Sequence, residues 1–252
     1  MPDFKGRKYQ VFVLGGARTG TSLAAWLLEF MGINMRGKKK TGEFAPDNAC
    51  EDVNFITMTV KLSANITKKW LGKIKGYIDR RDKIATASWG AKSALAHRSI
   101  KEWLPYCSNP FLVYVFRDPY SASMSDILHK KKTYNKRVGL HQALDGKLST
   151  SKMLAGMLKE LKHVPTVITT FEEVKYHSLD FVGKVREAMD IEYTDEEMEG
   201  IKAKILEHIL PDYRSWAKPI KEETKSEQDK RPTVSPSDSE EPDSGAGEKD
   251  TG

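Results

Sequence analysis

Apolar positions follow two rhythms along this chain. Four short, nearly unbroken runs rich in β-branched and aromatic residues lie at roughly 9–15, 83–88, 110–116 and 165–170. Runs of that length and composition read as strands buried on both faces. Between them, apolar residues recur at helical spacing over 20–32, about 51–82 with a break near Asn65, 98–106, 119–133 and 138–162. Two more helical patterns follow near 178–189 and 194–209. In the first, Leu23, Trp26, Leu27, Phe30 and Met31 share one face. Strands alternating with helices predict a three-layer α/β/α domain around a mainly parallel sheet of four or five strands. In such sheets ligands bind beyond the carboxyl ends of the strands.

Two of those strand ends carry candidate chemistry. After the first comes Gly15-Gly16-Ala17-Arg18-Thr19-Gly20-Thr21-Ser22. A strand, a glycine-bearing turn and a helix start form an anion-binding arrangement, because unpaired backbone N–H groups and the positive end of the helix dipole face one point. The glycine spacing is that of a Walker-A loop, but Thr21 stands where the lysine is expected, and a basic residue sits three places earlier as Arg18. The domain is thus expected to be of the P-loop type. The third strand runs Phe111-Leu112-Val113-Tyr114-Val115-Phe116 into Arg117-Asp118-Pro119. Asp118 suits the cap of the next helix and Pro119 its first position. Arg117 then projects from the strand's carboxyl edge, with Ser125 two turns into the helix, where a guanidinium fork and a hydroxyl would hold a second phosphate.

Charge adds a division of the 252 residues. From Pro219 onward there are 5 basic and 10 acidic residues, a net of −5, so residues 1–218 carry a net +11 within the chain's overall +6. A basic body suits a polyanionic ligand. The expected organisation is a domain over 1–218 and an acidic, disordered tail over 219–252, too poor in large apolar residues to offset its ordering entropy. The segment from Arg36 to Lys40 reads as a flexible basic loop. Two cysteines without a C-x-x-C spacing speak against a disulfide framework or a cysteine zinc site. No apolar stretch reaches the roughly 20 residues of a membrane span, and no secretory leader is read, so a cytoplasmic protein is expected.

The two motifs together resemble the sulfotransferases that use 3′-phosphoadenosine 5′-phosphosulfate (PAPS). In that family a loop of the form G-x-x-[KR]-[ST]-G-T-[ST] follows the first strand, and a later strand ends in Arg-Asp-Pro with a Ser eight residues after the Arg. Further similarity lies in Glu51-Asp52-Val53-Asn54-Phe55, Trp89-Gly90-Ala91-Lys92 and Thr170-Phe171-Glu172-Glu173-Val174. The likeness spans roughly 9–215 and is to short bacterial and phage members. It implies that Gly16, Ala17, Arg18, Thr19, Gly20, Thr21 and Ser22 hold the 5′-phosphosulfate, and that Arg117 and Ser125 hold the 3′-phosphate. It also implies that Lys92 assists the developing charge and that 3′,5′-ADP is the product. No metal is expected, since no strand ends in the Asp of a Walker-B site and a sulfuryl group in flight carries less charge than a phosphoryl group.

The family's histidine base would fall at Ala94, so it is absent here. Asp52 or Glu51 is expected to act instead, in preference to His97. Trp70, Lys73, Lys75, Tyr77, Arg80 and Arg81 are either an acceptor-lining surface or a solvated helix face. Tyr213-Arg214-Ser215-Trp216 is a candidate cover for the nucleotide. The expected activity is sulfuryl transfer to a hydroxyl or amine of a carbohydrate, lipid, small metabolite or protein tyrosine, without nucleic-acid partners. A P-loop small-molecule kinase and a non-catalytic nucleotide-binding protein on the same fold are the alternatives; acceptor and oligomeric state stay open.

Overall fold

The computed structural model describes residues 4–35, 52–64, 67–85, 87–134 and 138–209. The loop after Met35, Glu51, Tyr213–Trp216 and the acidic tail lie outside the described residues. Four strands, β1 (Gln10–Leu14), β2 (Trp89–Lys92), β3 (Pro110–Phe116) and β4 (Thr166–Thr170), form one sheet in the order β2-β1-β3-β4, and every pairing is parallel. Nine α-helices accompany them among the described residues: α1 (Thr21–Phe30), α2 (Val53–Ala64), α3 (Lys68–Ile84), α4 (Ile100–Trp103), α5 (Pro119–Tyr134), α6 (Leu140–Glu160), α7 (Phe171–Tyr176), α8 (Ser178–Met189) and α9 (Asp195–His208).

Side chains alternate between the two faces of the sheet, and both faces are covered. Val11, Val13, Val113, Val115 and Val167 meet α1, α8 and α9, while Phe12, Leu14, Leu112 and Tyr114 meet α2, α3, α4 and α6. That double burial explains why β3 is apolar at every position and β1 at every position after Gln10. It also confirms the three-layer α/β/α class. On the second face Phe12, Phe55, Tyr77, Trp89 and Trp103 interlock, with ring centroids of Phe55 and Trp103 4.7 Å apart and Tyr77 edge-on to Trp103 at 5.6 Å. Each fully buried ring of this kind stabilises the fold by roughly 1.5–3 kcal/mol.

The third strand and fourth strand fall where the apolar runs place them, but β2 does not. The expected strand at 83–88 gives way to α3, which continues to Ile84, and pairing with β1 begins only at Trp89. The reason is steric. A Cβ on Gly90 would stand 2.8 Å from the Val11 carbonyl, so the strand beside β1 needs a glycine that propensity counts against it. The indole of Trp89 anchors the register by donating to Asp82 at 2.6 Å. The pattern at 98–106 shortens to α4 with 3-10 turns on either side, at Ala96–Arg98 and Leu104–Tyr106. Helix α7 was not anticipated; the Thr170 hydroxyl caps it by accepting from Glu173 N at 3.1 Å, a T-x-x-E signal present in the sequence.

Strand order reverses between β1, whose connection leads outward to β2, and β3, whose connection leads to β4. Such a switch point opens a crevice at the carboxyl ends of the two central strands. Leu14 ends β1 opposite Tyr114. Arg117, three residues further on, therefore overhangs the turn that follows β1 by about 10 Å of strand.

Candidate functional site

The turn after β1 is built from close approaches. A Cβ on Gly15 would meet Thr19 Oγ1 at 2.7 Å and the Val115 carbonyl at 2.8 Å, and one on Gly20 would meet the Phe171 ring at 2.6 Å. Gly20 has φ +94°, and Arg18 takes the left-handed conformation at φ +66°, an uncommon one for a residue with a side chain. Thr19 closes the turn, its hydroxyl donating to the Gly16 carbonyl at 2.7 Å. Helix α1 starts at Thr21 with no capping side chain and no acidic residue in its first turn. Its first N–H groups and dipole are left to whatever lies beyond.

Two further elements bring charge to this turn, and a third supplies a hydroxyl. Lys92, at the carboxyl end of β2 and 4% exposed, donates to Ser22 Oγ at 2.8 Å. Arg117, after β3, donates through Nη1 to the Arg18 carbonyl at 3.1 Å, and its guanidinium lies 4.0 Å over the Phe171 ring. Its Nε is buried with no hydrogen-bond partner. Arg18 reaches across to α5 and donates from Nε to Ser125 Oγ at 3.2 Å. Residues distant in sequence thus converge: Arg18, Ser22, Lys92, Arg117 and Ser125 surround one helix N-terminus. Asp118 stays out of it and caps α5, accepting from Ser121 N at 2.7 Å; the Ser121 backbone bond first of all holds its pKa below the ordinary value.

Sequence reasoning missed Lys147. Only 9% exposed, it donates to the Ala17 carbonyl at 2.8 Å and stands 3.5 Å from Asp126. Burial lowers its pKa, which the Asp126 carboxylate only partly restores. Burial also pushes Asp126 upward, but the Lys130 hydrogen bond and the Lys147 charge outweigh it, and its pKa ends below the ordinary value. The signal was a lysine on the buried stripe of α6, four residues after Ala143 and seven before Leu154. Phe171 belongs to the Thr170–Val174 motif, but its place under Arg117 is set by the tertiary structure.

Asp52 sits in a different setting. One carboxylate oxygen accepts from Asn54 N at 2.9 Å and Phe55 N at 3.3 Å, and the other from Tyr77 OH at 2.8 Å and Arg81 Nη1 at 3.3 Å. Arg81 in turn donates to the carbonyls of Asn34 at 2.8 Å and Gly90 at 3.1 Å. Both oxygens of Asp52 are therefore occupied in starting α2 and tying α3 to β2. Tyr77 and Arg81, read as surface, belong to this buried cluster, while Lys73 covers Trp70 at 4.3 Å and Lys75 pairs with Asp79 at 2.8 Å in solvent. Glu51 lies outside the described residues.

His97, in the 3-10 turn after β2, is 4% exposed, and neither ring nitrogen makes a hydrogen bond. Burial, then the Arg98 charge, lowers its pKa to about 4 against a small opposing influence of the Ala94 backbone. It lines a cavity of about 360 Å³ that also borders Gly16, Ala17 and Lys147.

A scan against protein-family models finds no match, and no curated protein matches in sequence. Solved structures do match. Sulfotransferase STF9 from Mycobacterium avium superimposes with a TM-score of 0.56 at 13% identity, over 80% of this chain and 68% of that one. The sulfotransferase domain from the curacin biosynthetic pathway gives 0.48 at 12% identity, over 77% of this chain and 78% of that one. Mouse sulfotransferase SULT7A1, complexed with PAP, gives 0.45 at 14% identity, over 79% and 65%. The architecture is the sulfotransferase fold, with the first of these carrying that conclusion. No helix among the described residues is long and apolar enough to cross a membrane.

Proposed function

We propose that this chain is a sulfotransferase that transfers a sulfuryl group from PAPS to an acceptor hydroxyl or amine. The observation that carries the reading is the meeting of two anion grips: Arg117 lies 3.1 Å from the Arg18 carbonyl of the turn while its Nε is buried and unpartnered. A buried guanidinium N–H without an acceptor costs free energy on the order of 1–3 kcal/mol, which a bound anion would recover. Together with Gly15, which leaves no room for a Cβ, and Gly20, which needs a positive φ, this fits a nucleotide bearing phosphates at both ends.

In this reading the turn from Gly16 to Ser22 cradles the 5′-phosphosulfate, and Arg117 with Ser125 takes the 3′-phosphate. The donor contributes an activated sulfuryl group. Lys92, held against Ser22, stabilises negative charge gathering on the bridging oxygen as the acceptor's oxygen or nitrogen bonds to sulfur and 3′,5′-ADP departs with the electron pair of the broken S–O bond. The acceptor's proton needs a receiver with an unoccupied lone pair. Asp52, with both oxygens engaged, is assigned a positioning role; His97, neutral above about pH 4 and unpartnered beside the turn, is assigned the proton. Retention on immobilised 3′,5′-ADP tests the reading: Arg117→Ala should elute at least tenfold more readily, and unchanged retention overturns it.

A further inference from the structure

Sulfuryl transfer requires a place for the acceptor against the turn that would hold the sulfuryl group. The 360 Å³ cavity, which borders Gly16 and Ala17, supplies one. Its walls come from Ala17 of the turn, His97 and Arg98, Asp126 and Lys130 of α5, and Lys147 of α6. Arg117, Ser125 and Phe171, assigned above to the 3′-phosphate end, do not line it. Its size is that of a small-molecule site.

The charges on those walls do not balance. Lys130 at 2.9 Å and Lys147 at 3.5 Å share the single carboxylate of Asp126. Arg98 is exposed and has no carboxylate partner among the described residues. Three cations against one anion leave a positive surplus in a concave wall, where the field is concentrated. A neutral acceptor gains nothing from it. An acceptor with its own anionic group gains a charge-assisted, bidentate contact.

Resting on the sulfuryl-transfer reading, we propose that this cavity receives an acceptor carrying a carboxylate, sulfate or phosphate beside the hydroxyl to be sulfated, and that Arg98 selects it. An anion set against Arg98 also cancels the influence by which that arginine depresses His97, leaving the imidazole a better proton receiver when the acceptor is in place.

The test uses radiolabelled PAPS with two acceptors that differ only in charge, 4-nitrophenyl β-D-glucuronide and 4-nitrophenyl β-D-glucoside. The unaltered protein should favour the glucuronide by about tenfold or more in kcat/KM, mainly through KM. Arg98→Ala should bring that ratio close to one and leave the Kd for 3′,5′-ADP unchanged. Lys131→Ala, an exposed lysine of α5 outside the cavity, should keep the preference. Equal use of the two acceptors, transfer to neither, or a preference that survives Arg98→Ala overturns the proposal. So does a loss of 3′,5′-ADP affinity in Arg98→Ala that matches the loss of glucuronide use. Failure of the unaltered protein to bind 3′,5′-ADP would instead sink the donor reading, and the acceptor proposal with it.

Discussion

Arg81 and Arg117 are both arginines set against an aromatic ring, one at 4.9 Å from Trp89 and the other at 4.0 Å from Phe171. Their surroundings differ in kind. Arg81 donates to a carboxylate and two carbonyls, and its principal partner Asp52 is itself saturated. Arg117 donates to one carbonyl and keeps an unpartnered Nε at the carboxyl end of a central strand. A buried charge whose bonds are complete ties elements together. Arg117, half-buried with an incomplete set of bonds at a topological switch point, is on the proposed reading poised for a ligand. On the proposed reading, the contrast separates a structural arginine from a ligand-binding one, since a buried N–H left without an acceptor is expensive unless something arrives to bind it.

The sharpest way to break this contrast is to remove each arginine. Arg81→Ala strands the Asp52 carboxylate and should cost about 3–5 kcal/mol in urea unfolding; a loss under about 1 kcal/mol would show that the cluster is not structural. Arg117→Ala should do the opposite, weakening 3′,5′-ADP binding about a hundredfold by calorimetry while shifting unfolding stability by less than about 1 kcal/mol. If the two variants behave alike, the distinction fails.

His97 sharpens the same point through pH. Its folded pKa of about 4 lies below the ordinary 6.5, so the unfolded chain binds more protons between those values. Stability from this group is complete above pH 6.5 and is lost as pH falls toward 4. The whole loss is on the order of 3 kcal/mol. Urea titrations of His97→Gln should lack that component, and an identical pH dependence in both proteins would show that the imidazole is not buried neutral. The smallest effect belongs to Phe171→Leu, which removes the ring beneath Arg117. It should weaken 3′,5′-ADP binding by about 0.5–1 kcal/mol, and a hundredfold loss would mean that the ring touches the nucleotide directly.

Much of the fold was legible because it is written locally. Double burial makes β3 apolar throughout and β1 apolar after Gln10, and the turn from Gly15 to Gly20 is recognisable because Gly15 answers the nearby Thr19 and Thr21 and Gly20 a positive φ. Arg117 and Ser125 were readable as a pair because strand and helix set their spacing. β2 was misplaced by several residues because its glycine answers a backbone approach from Val11, which no local pattern records. The site divides likewise. Lys147 and Phe171 reach the turn from other elements, and Asp52 could not be told from an accessible carboxylate until its four donors were known.

The amino-acid order by itself determined the layered α/β class, the glycine-bearing turn after β1 and the arginine at the end of β3, because each depends mainly on periodicity or on neighbours a few residues apart. Only the tertiary structure decided which charges are satisfied and which are not. Hydrogen bonds and burial are shared among residues far apart in the chain, and the pairing of one side chain removes the availability of another.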